Sequence, residues 1–152
     1  MNQRYQHTQR GRLHFILIGV TVLLLALAVP QAGVEPAIAG GLLMAAAFST
    51  ALAAMFARLT VTEEADHIRI AFGPLSLLSR KVRFADIKDA SVSRSSLIDG
   101  WGIHWVIRRG WIWNVWGFDC VKIEFEDGRR LRVGSDDAKR LAALLRERSG
   151  AQ

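Results

Sequence analysis

The chain contains a single cysteine, Cys120, which has no second cysteine to pair with. A disulfide-stapled secreted scaffold is therefore excluded. Charge is also missing from two long apolar runs near the N-terminus, residues 13–29 and 37–57. Charged side chains inside such runs usually mark a proton relay or a transport path, so their absence argues against those functions.

Motifs for catalysis are missing as well. The sequence has no glycine-rich phosphate loop, nucleophile elbow or Ser/His/Asp pattern. None of the four histidines stands at metal-ligand spacing from a second histidine or from Cys120. The sequence therefore predicts no enzyme activity, no cofactor and no metal. The thiol of Cys120 is interpreted as a partly buried group in a reducing compartment.

The two apolar runs predict a membrane anchor. At 1.5 Å per residue, residues 13–29 reach about 25 Å and residues 37–57 about 31 Å, against a hydrocarbon core of about 30 Å. Pro30, Gly33 and Pro36 interrupt the short connection between them. We expect two antiparallel transmembrane helices.

Arginines beside the two runs predict the orientation. Arg4, Arg10 and Arg12 precede the first run, Arg58 follows the second, and the connection has no Lys or Arg. The N-terminus and the C-terminal domain are therefore expected in the cytoplasm. An alternative treats the first run as a signal peptide cleaved after residues 26–28; the second run would still leave the domain inside.

Small residues recur at every fourth position of the second run, forming a predicted helix-packing seam. They allow two helix backbones to approach closely, which is how helices associate in lipid. The seam is expected to hold the first helix, or alternatively a second copy of the chain. Its members are Ala37, Gly41, Ala45, Ser49 and Ala53.

Alternating patterns follow from residue 59 and predict an α+β domain over residues 58–152, behind a basic cytoplasmic head at residues 1–12. Apolar residues at i, i+3, i+4 and i+7 predict a C-terminal helix that caps a meander of about seven short strands. The helix stripe is Ala138, Leu141, Ala142 and Leu145. The alternating, β-branched pattern occurs in nine short segments, from which the meander of about seven strands is expected: residues 59–62, 67–72, 75–78, 81–84, 87–94, 102–107, 110–114, 119–126 and 129–133.

The segments IRIAFG at 68–73 and VRFADI at 82–87 carry a resemblance, as do the turns GWGI at 100–103 and DGRR at 127–130. Together with the single terminal helix, they resemble the bacterial pleckstrin homology (PH) domain family, in small membrane proteins with a two-helix anchor. The resemblance implies a PH-like antiparallel β-barrel or sandwich with a capping helix, at the inner membrane of a bacterium. It implies a binding or assembly module and no enzyme.

The charge of the domain limits its ligands. The first β-hairpin turn reads Glu63-Glu64-Ala65-Asp66, where phosphoinositide-binding PH domains carry Lys and Arg. Acids facing a polyanion weaken its binding, so phosphoinositide recognition is disfavoured. The net charge of +6 is spread without a dense basic stripe, which argues against nucleic acid.

All five tryptophans fall within sixteen residues, around a hairpin whose tip is basic. Some of them are expected in the core, but tryptophan beside arginine is also typical of partner-binding patches and of membrane-interface segments. We therefore predict a scaffold that binds protein, or its own copies, through this hairpin. The alternative is a peripheral reader of anionic lipid headgroups. The predicted surface is Trp101, Trp105, Arg108, Arg109, Trp111, Trp113 and Trp116.

Overall fold

The computed structural model describes residues 5–96 and 100–150. Arg4, one of the arginines that predict the orientation, and Gln152, the predicted end of the domain, lie outside the described residues. The chain is α+β: two apolar helices, two β-sheets and a C-terminal helix.

The apolar runs form helices α1 (Leu13–Gln31) and α2 (Pro36–Met55), and both are long and apolar enough to cross a membrane. α1 continues through Pro30, two residues beyond the predicted end, whereas α2 ends at Met55, two residues early. Pro36 stands in the first turn of α2, where its missing N–H costs no hydrogen bond.

The described residues form nine strands, which are numbered here in chain order. Their bounds are β1 (Gln6–Arg10), β2 (Arg58–Glu63), β3 (His67–Phe72), β4 (Leu78–Arg83), β5 (Ile87–Arg94), β6 (Gly102–Val106), β7 (Gly110–Asn114), β8 (Asp119–Phe125) and β9 (Arg130–Gly134). One sheet has the order β1-β2-β3-β4, and the other has the order β5-β8-β9-β7-β6.

The N-terminal segment belongs to the first sheet. Residues 1–12 were predicted as a separate basic head, but β1 pairs antiparallel with β2, from Gln6 opposite Thr62 to Arg10 opposite Arg58. Tyr5 also joins the core of the domain. The two helices are therefore inserted between the first two strands of one sheet, with two residues at each junction.

The second sheet differs from the predicted meander because β7 pairs parallel with β9. Glycine permits this close approach at both ends of the pair. A Cβ on Gly110 would lie 2.2 Å from the carbonyl oxygen of Arg130, and a Cβ on Gly134 would lie 2.1 Å from Oδ1 of Asn114. Side chains at either position would push the two strands apart.

The predicted strand at residues 75–78 is wrong except for its last residue. Only Leu78 belongs to a strand, and the preceding residues form an exposed loop that includes Leu75 and Leu77. Phe84, predicted at the end of a strand, instead starts a short 3₁₀ helix, Phe84–Asp86.

The C-terminal helix α3 (Ala138–Ser149) is confirmed. All four residues of its predicted apolar stripe are buried, and it packs on β5, β8 and the 3₁₀ helix. Its N-cap is Asp137, and the amide of Asp137 donates to Oγ of Ser135. The core lies between this helix and the two sheets.

Candidate functional site

The tryptophan hairpin is formed by β6 and β7, and β6 is an edge of the five-stranded sheet. Trp105 stands directly opposite Trp111, so the two indoles share one face. The turn between the strands requires positive φ at Arg108 (65°) and at Gly110 (79°). Arg108 is one of two non-glycine residues with positive φ in the described part of the chain.

The five tryptophans fall into three environments. Trp113 is buried, 7% exposed, and its ring packs edge-on against Phe72 with the centroids 6.0 Å apart. Trp101 and Trp116 stack on each other, with centroids 4.5 Å apart. Trp105 and Trp111 remain exposed, by 57% and 43%. Only this last pair is available to a partner as a large apolar surface.

A groove of about 370 Å³ opens beside the exposed pair. The parallel pairing of β7 with β9 brings the start of β9 next to the hairpin tip, and β4 adds a side chain from the other sheet. We call this the arginine–tryptophan groove. Its lining is Arg80, Trp105, Arg108, Gly110, Trp111, Gly128, Arg129 and Arg130.

The charges of the groove are only partly balanced by the residues that the structure describes. Arg129 pairs with Asp127 at 2.6 Å, and Arg130 pairs with Glu124 at 3.3 Å. Arg80 and Arg108 have no carboxylate partner among the residues that the structure describes.

Arg80 is also held in an unfavourable electrostatic environment. Partial burial, and then the neighbouring charge of Arg129, lower the pKa of its guanidinium. Burial without an opposite charge disfavours the charged form, so an anion placed beside Arg80 would be stabilised. The groove therefore suits a ligand with negative charge and an apolar part that packs on indole.

The sequence singled out only part of this site. Trp105, Arg108 and Trp111 line the groove, whereas Arg109 lies outside its lining and donates to Oγ of Ser96 at 3.4 Å. The remaining three arginines are Arg80 from β4, Arg129 from the turn between β8 and β9, and Arg130, the first residue of β9. The position of Arg130 depends on the parallel pairing of β7 with β9, which the sequence indicates only by glycine at both ends of the pair, Gly110 and Gly134.

The predicted helix-packing seam is divided by the structure. Ser49 and Ala53 are buried, and Oγ of Ser49 donates to the carbonyl oxygen of Leu17 at 3.0 Å. Ala37, Gly41 and Ala45 are exposed. The buried positions of α2 are Ala39, Ala46, Ser49 and Ala53, and their spacings of seven, three and four place them along the contact with a neighbouring helix.

The acidic turn is engaged by its own domain. Glu63 accepts from the backbone of Tyr5 at 2.9 Å and pairs with Arg148 at 3.3 Å. Glu64 and Asp66 both contact the ring of His67, and the hydrogen bond from that ring lowers the pKa of Asp66. These acids therefore have structural partners on both sides of the turn.

Other titratable side chains form no centre. Within residues 5–96 and 100–150, no three His, Cys, Asp or Glu side chains are grouped so as to hold a metal ion. Cys120 is buried, at 1% exposure, more deeply than expected. No protein-family model and no curated protein matches the chain.

Proposed function

We propose that this chain is a non-catalytic binding module anchored in a bacterial inner membrane by α1 and α2, with its PH-like domain in the cytoplasm. The module acts as a scaffold, and its arginine–tryptophan groove binds an acidic segment of a partner protein or of a second copy. The exposed Trp105–Trp111 pair, beside Arg80 and Arg108, which have no carboxylate partner among the described residues, is the observation that carries this proposal.

The surface of the helices supports the anchor. The only buried residue of α1 is Ala28. The exposed large apolar side chains of the two helices include Phe15, Val29, Met44 and Phe48, whose exposed fractions lie between 66% and 76%. In water such a surface would be unfavourable, whereas lipid accommodates it. The arginines at the two junctions favour a cytoplasmic domain.

The two-sheet domain with one terminal helix is compatible with the PH-like resemblance. The parallel pairing of β7 with β9 departs from a simple antiparallel meander. The resemblance therefore supports a general role in binding, and the residues of the groove indicate the chemistry of the ligand that would bind there.

Hairpin geometry favours protein over lipid as the ligand. Phe56, directly after α2, lies 3.4 Å from the position of a Cβ on Gly102, the first residue of β6. The tip at Arg108 is at the other end of the hairpin, and Trp105 is three residues from Gly102, or about 10 Å along the strand. The exposed pair is therefore displaced from the helix end, away from the contact with the anchor.

Photo-crosslinking in cells would test the proposal. A benzophenone amino acid replaces Trp111 in the full chain, and the matched control replaces Phe118, an exposed aromatic residue outside the groove. We expect protein adducts from position 111 and few from position 118. Adducts to lipid alone would favour the lipid reader, and equal labelling at both positions would contradict a site at the groove.

The partner identified in this way provides a quantitative test. Trp105→Ala in the full chain should weaken binding of that partner by about 2 kcal/mol or more, as expected for an exposed aromatic anchor. Arg80→Gln should weaken it as well, and more so at low salt. The control Phe118→Ala should leave the affinity unchanged.

A further inference from the structure

Two arginines face each other where the sheet meets the helices. Arg10 is the last residue of β1, and it stands directly opposite Arg58, the first residue of β2. Directly opposed residues of an antiparallel pair point to the same face, with Cβ atoms about 5 Å apart. Arg12 follows two residues later, at the start of α1. Three arginines therefore lie at the junction between the first sheet and the helices.

These side chains line a pocket of about 660 Å³, which we call the junction pocket. His14 and Phe15 of α1 form part of its wall, so the pocket reaches onto the apolar helix. It is separate from the arginine–tryptophan groove, with which it shares no lining residue.

The positive charge of the junction pocket is only partly balanced by the described part of the chain, because three arginines and a single carboxylate, Asp136, line it. Like charges directly opposite each other destabilise a strand pair. The carboxylate of Asp136 contacts the ring of His7 and forms no ion pair with the three arginines among the described residues. Arg58 donates to the carbonyl oxygen of Pro74 at 3.1 Å, which satisfies a donor and leaves the charge uncompensated. An anion between Arg10 and Arg58 would convert their repulsion into attraction.

The level of the pocket identifies the source of that anion. Arg12 directly precedes α1, and Arg58 lies three residues beyond the last residue of α2, so both stand at the end of the apolar helices. The neighbouring loop exposes Leu75 by 76% and Leu77 by 78%, on the side where Arg58 contacts Pro74. Exposed leucine beside arginine is the composition of a membrane–water interface.

We propose that the junction pocket binds the phosphate of an anionic phospholipid headgroup, held between Arg10 and Arg58 and attracted by Arg12. This inference rests on the membrane anchor of the proposed function and is independent of the tryptophan hairpin. Basic side chains at the cytoplasmic surface attract anionic lipid in an additive way. The lipid would thus neutralise the strand pair that closes the base of the helical hairpin.

Lipid titration of the purified full chain tests this site. The protein, in a nonionic detergent, is titrated with short-chain phosphatidylglycerol or phosphatidylcholine, and its melting temperature is recorded. We expect the anionic lipid to bind at least tenfold more tightly than the zwitterionic one. Arg10→Gln with Arg58→Gln should lose roughly thirtyfold in affinity for phosphatidylglycerol. The control Arg83→Gln removes an exposed arginine at the end of β4 that is farthest from the loop, and its affinity should stay within about twofold of the wild type.

Each other outcome has a defined meaning. Equal phosphatidylglycerol affinity in the double variant and the wild type would overturn the site. If inorganic phosphate competes at the same concentration as the lipid, the pocket takes free phosphate and the lipid assignment is wrong.

Folding and anchorage are checked separately. Without lipid the double variant should melt at the wild-type temperature or above it, because a repulsion has been removed. Should it fail to fold, Arg12→Gln, which lies outside the strand pair, must still lose roughly fivefold in affinity. Alkaline extraction of wild-type membranes tests the anchor itself: release of the chain would refute the proposed anchorage, whereas retention with no lipid preference refutes only the junction pocket.

Discussion

Replacing Gly134 by alanine tests the parallel pairing that creates the arginine–tryptophan groove. The new methyl group would lie 2.1 Å from Oδ1 and 2.6 Å from Cγ of Asn114, so the asparagine side chain must move. Asn114 is 1% exposed and makes two hydrogen bonds: Nδ2 donates to the carbonyl oxygen of Gly117 at 2.9 Å, and Oδ1 accepts from the amide of Trp116 at 3.1 Å.

The expected cost follows from those two bonds. Each contributes about 1 kcal/mol when formed, and a buried group left without a partner costs about 1–3 kcal/mol. We therefore expect Gly134→Ala to lower the free energy of unfolding by about 3 kcal/mol. The assay is urea unfolding of the full chain in mild detergent, followed by tryptophan fluorescence.

A double-mutant cycle identifies the contact. In an Asn114→Ala background the two atoms nearest to the new methyl group are gone, so Gly134→Ala should cost less than about 1 kcal/mol. The coupling energy should then be about 2 kcal/mol. Gly40→Ala, in α2 with nothing within 4 Å of its Cβ position, is the neutral control. If Gly134→Ala costs the same in both backgrounds, β9 does not end against β7 and the groove is not formed as described.

Three further predictions concern the helix, the N-terminal segment and the anchor. Leu145→Asp places an unpaired charge on the buried stripe of α3 and should lower the free energy of unfolding in urea by several kcal/mol. The control Ala143→Asp, at an exposed position of the same helix, should lower it by less than about 1 kcal/mol. Equal costs would contradict the packing of α3. Burial first, and then the nearby Asp137, raise the pKa of Tyr5 to about 12 from 10.0. The contribution of Tyr5 to the free energy of unfolding is therefore present below pH 10 and is lost as the pH rises toward 12. Tyr5→Phe should therefore make stability less dependent on pH in that range, and an unchanged profile would place Tyr5 in water. A reporter that works only in the cytoplasm should be active when it is fused after Gln152, and a reporter that works only after export should be active when it is inserted at Gly33. The reverse pattern would overturn the orientation.

The regular elements could be predicted from local patterns. The stripe of α3 and the alternation in β8 depend on neighbours a few residues away, and both are found as expected. The antiparallel hairpins β2–β3, β6–β7 and β8–β9 are also local. The predicted bounds of β3, β5 and β7 coincide with those in the structure.

The elements that were missed depend on distant partners. β1 reads QHTQR and buries only Gln9, because an edge strand can remain polar when its hydrogen bonds come from a neighbour about fifty residues away. Leu75 and Leu77 suggested a strand, yet they lie exposed in the loop beside the end of α2. If the helices cross a membrane as proposed, these leucines would face its interface, which a soluble β-pattern does not consider.

The candidate site, too, could be predicted from the sequence only in part. The tryptophan cluster was visible in the sequence, but neither its division into a core ring, a stack and an exposed pair nor the arrival of Arg80 was. Both depend on contacts between the two sheets, since Trp113 packs against Phe72 of β3 and Arg80 comes from β4. The prediction from Leu59 onward also treated the domain as independent of the N-terminus, whereas a fragment that starts there lacks β1 and Tyr5.

The pairing of β1 with β2 sets the order in which this protein can be completed during synthesis. β1 leaves the ribosome before either helix, but the strand that pairs with it follows both helices. The first sheet therefore cannot close until the whole helical hairpin has been made, and closure brings the two ends of that hairpin together. Completion of the domain therefore requires that both helices have been synthesised, which makes closure of the sheet a late step in folding.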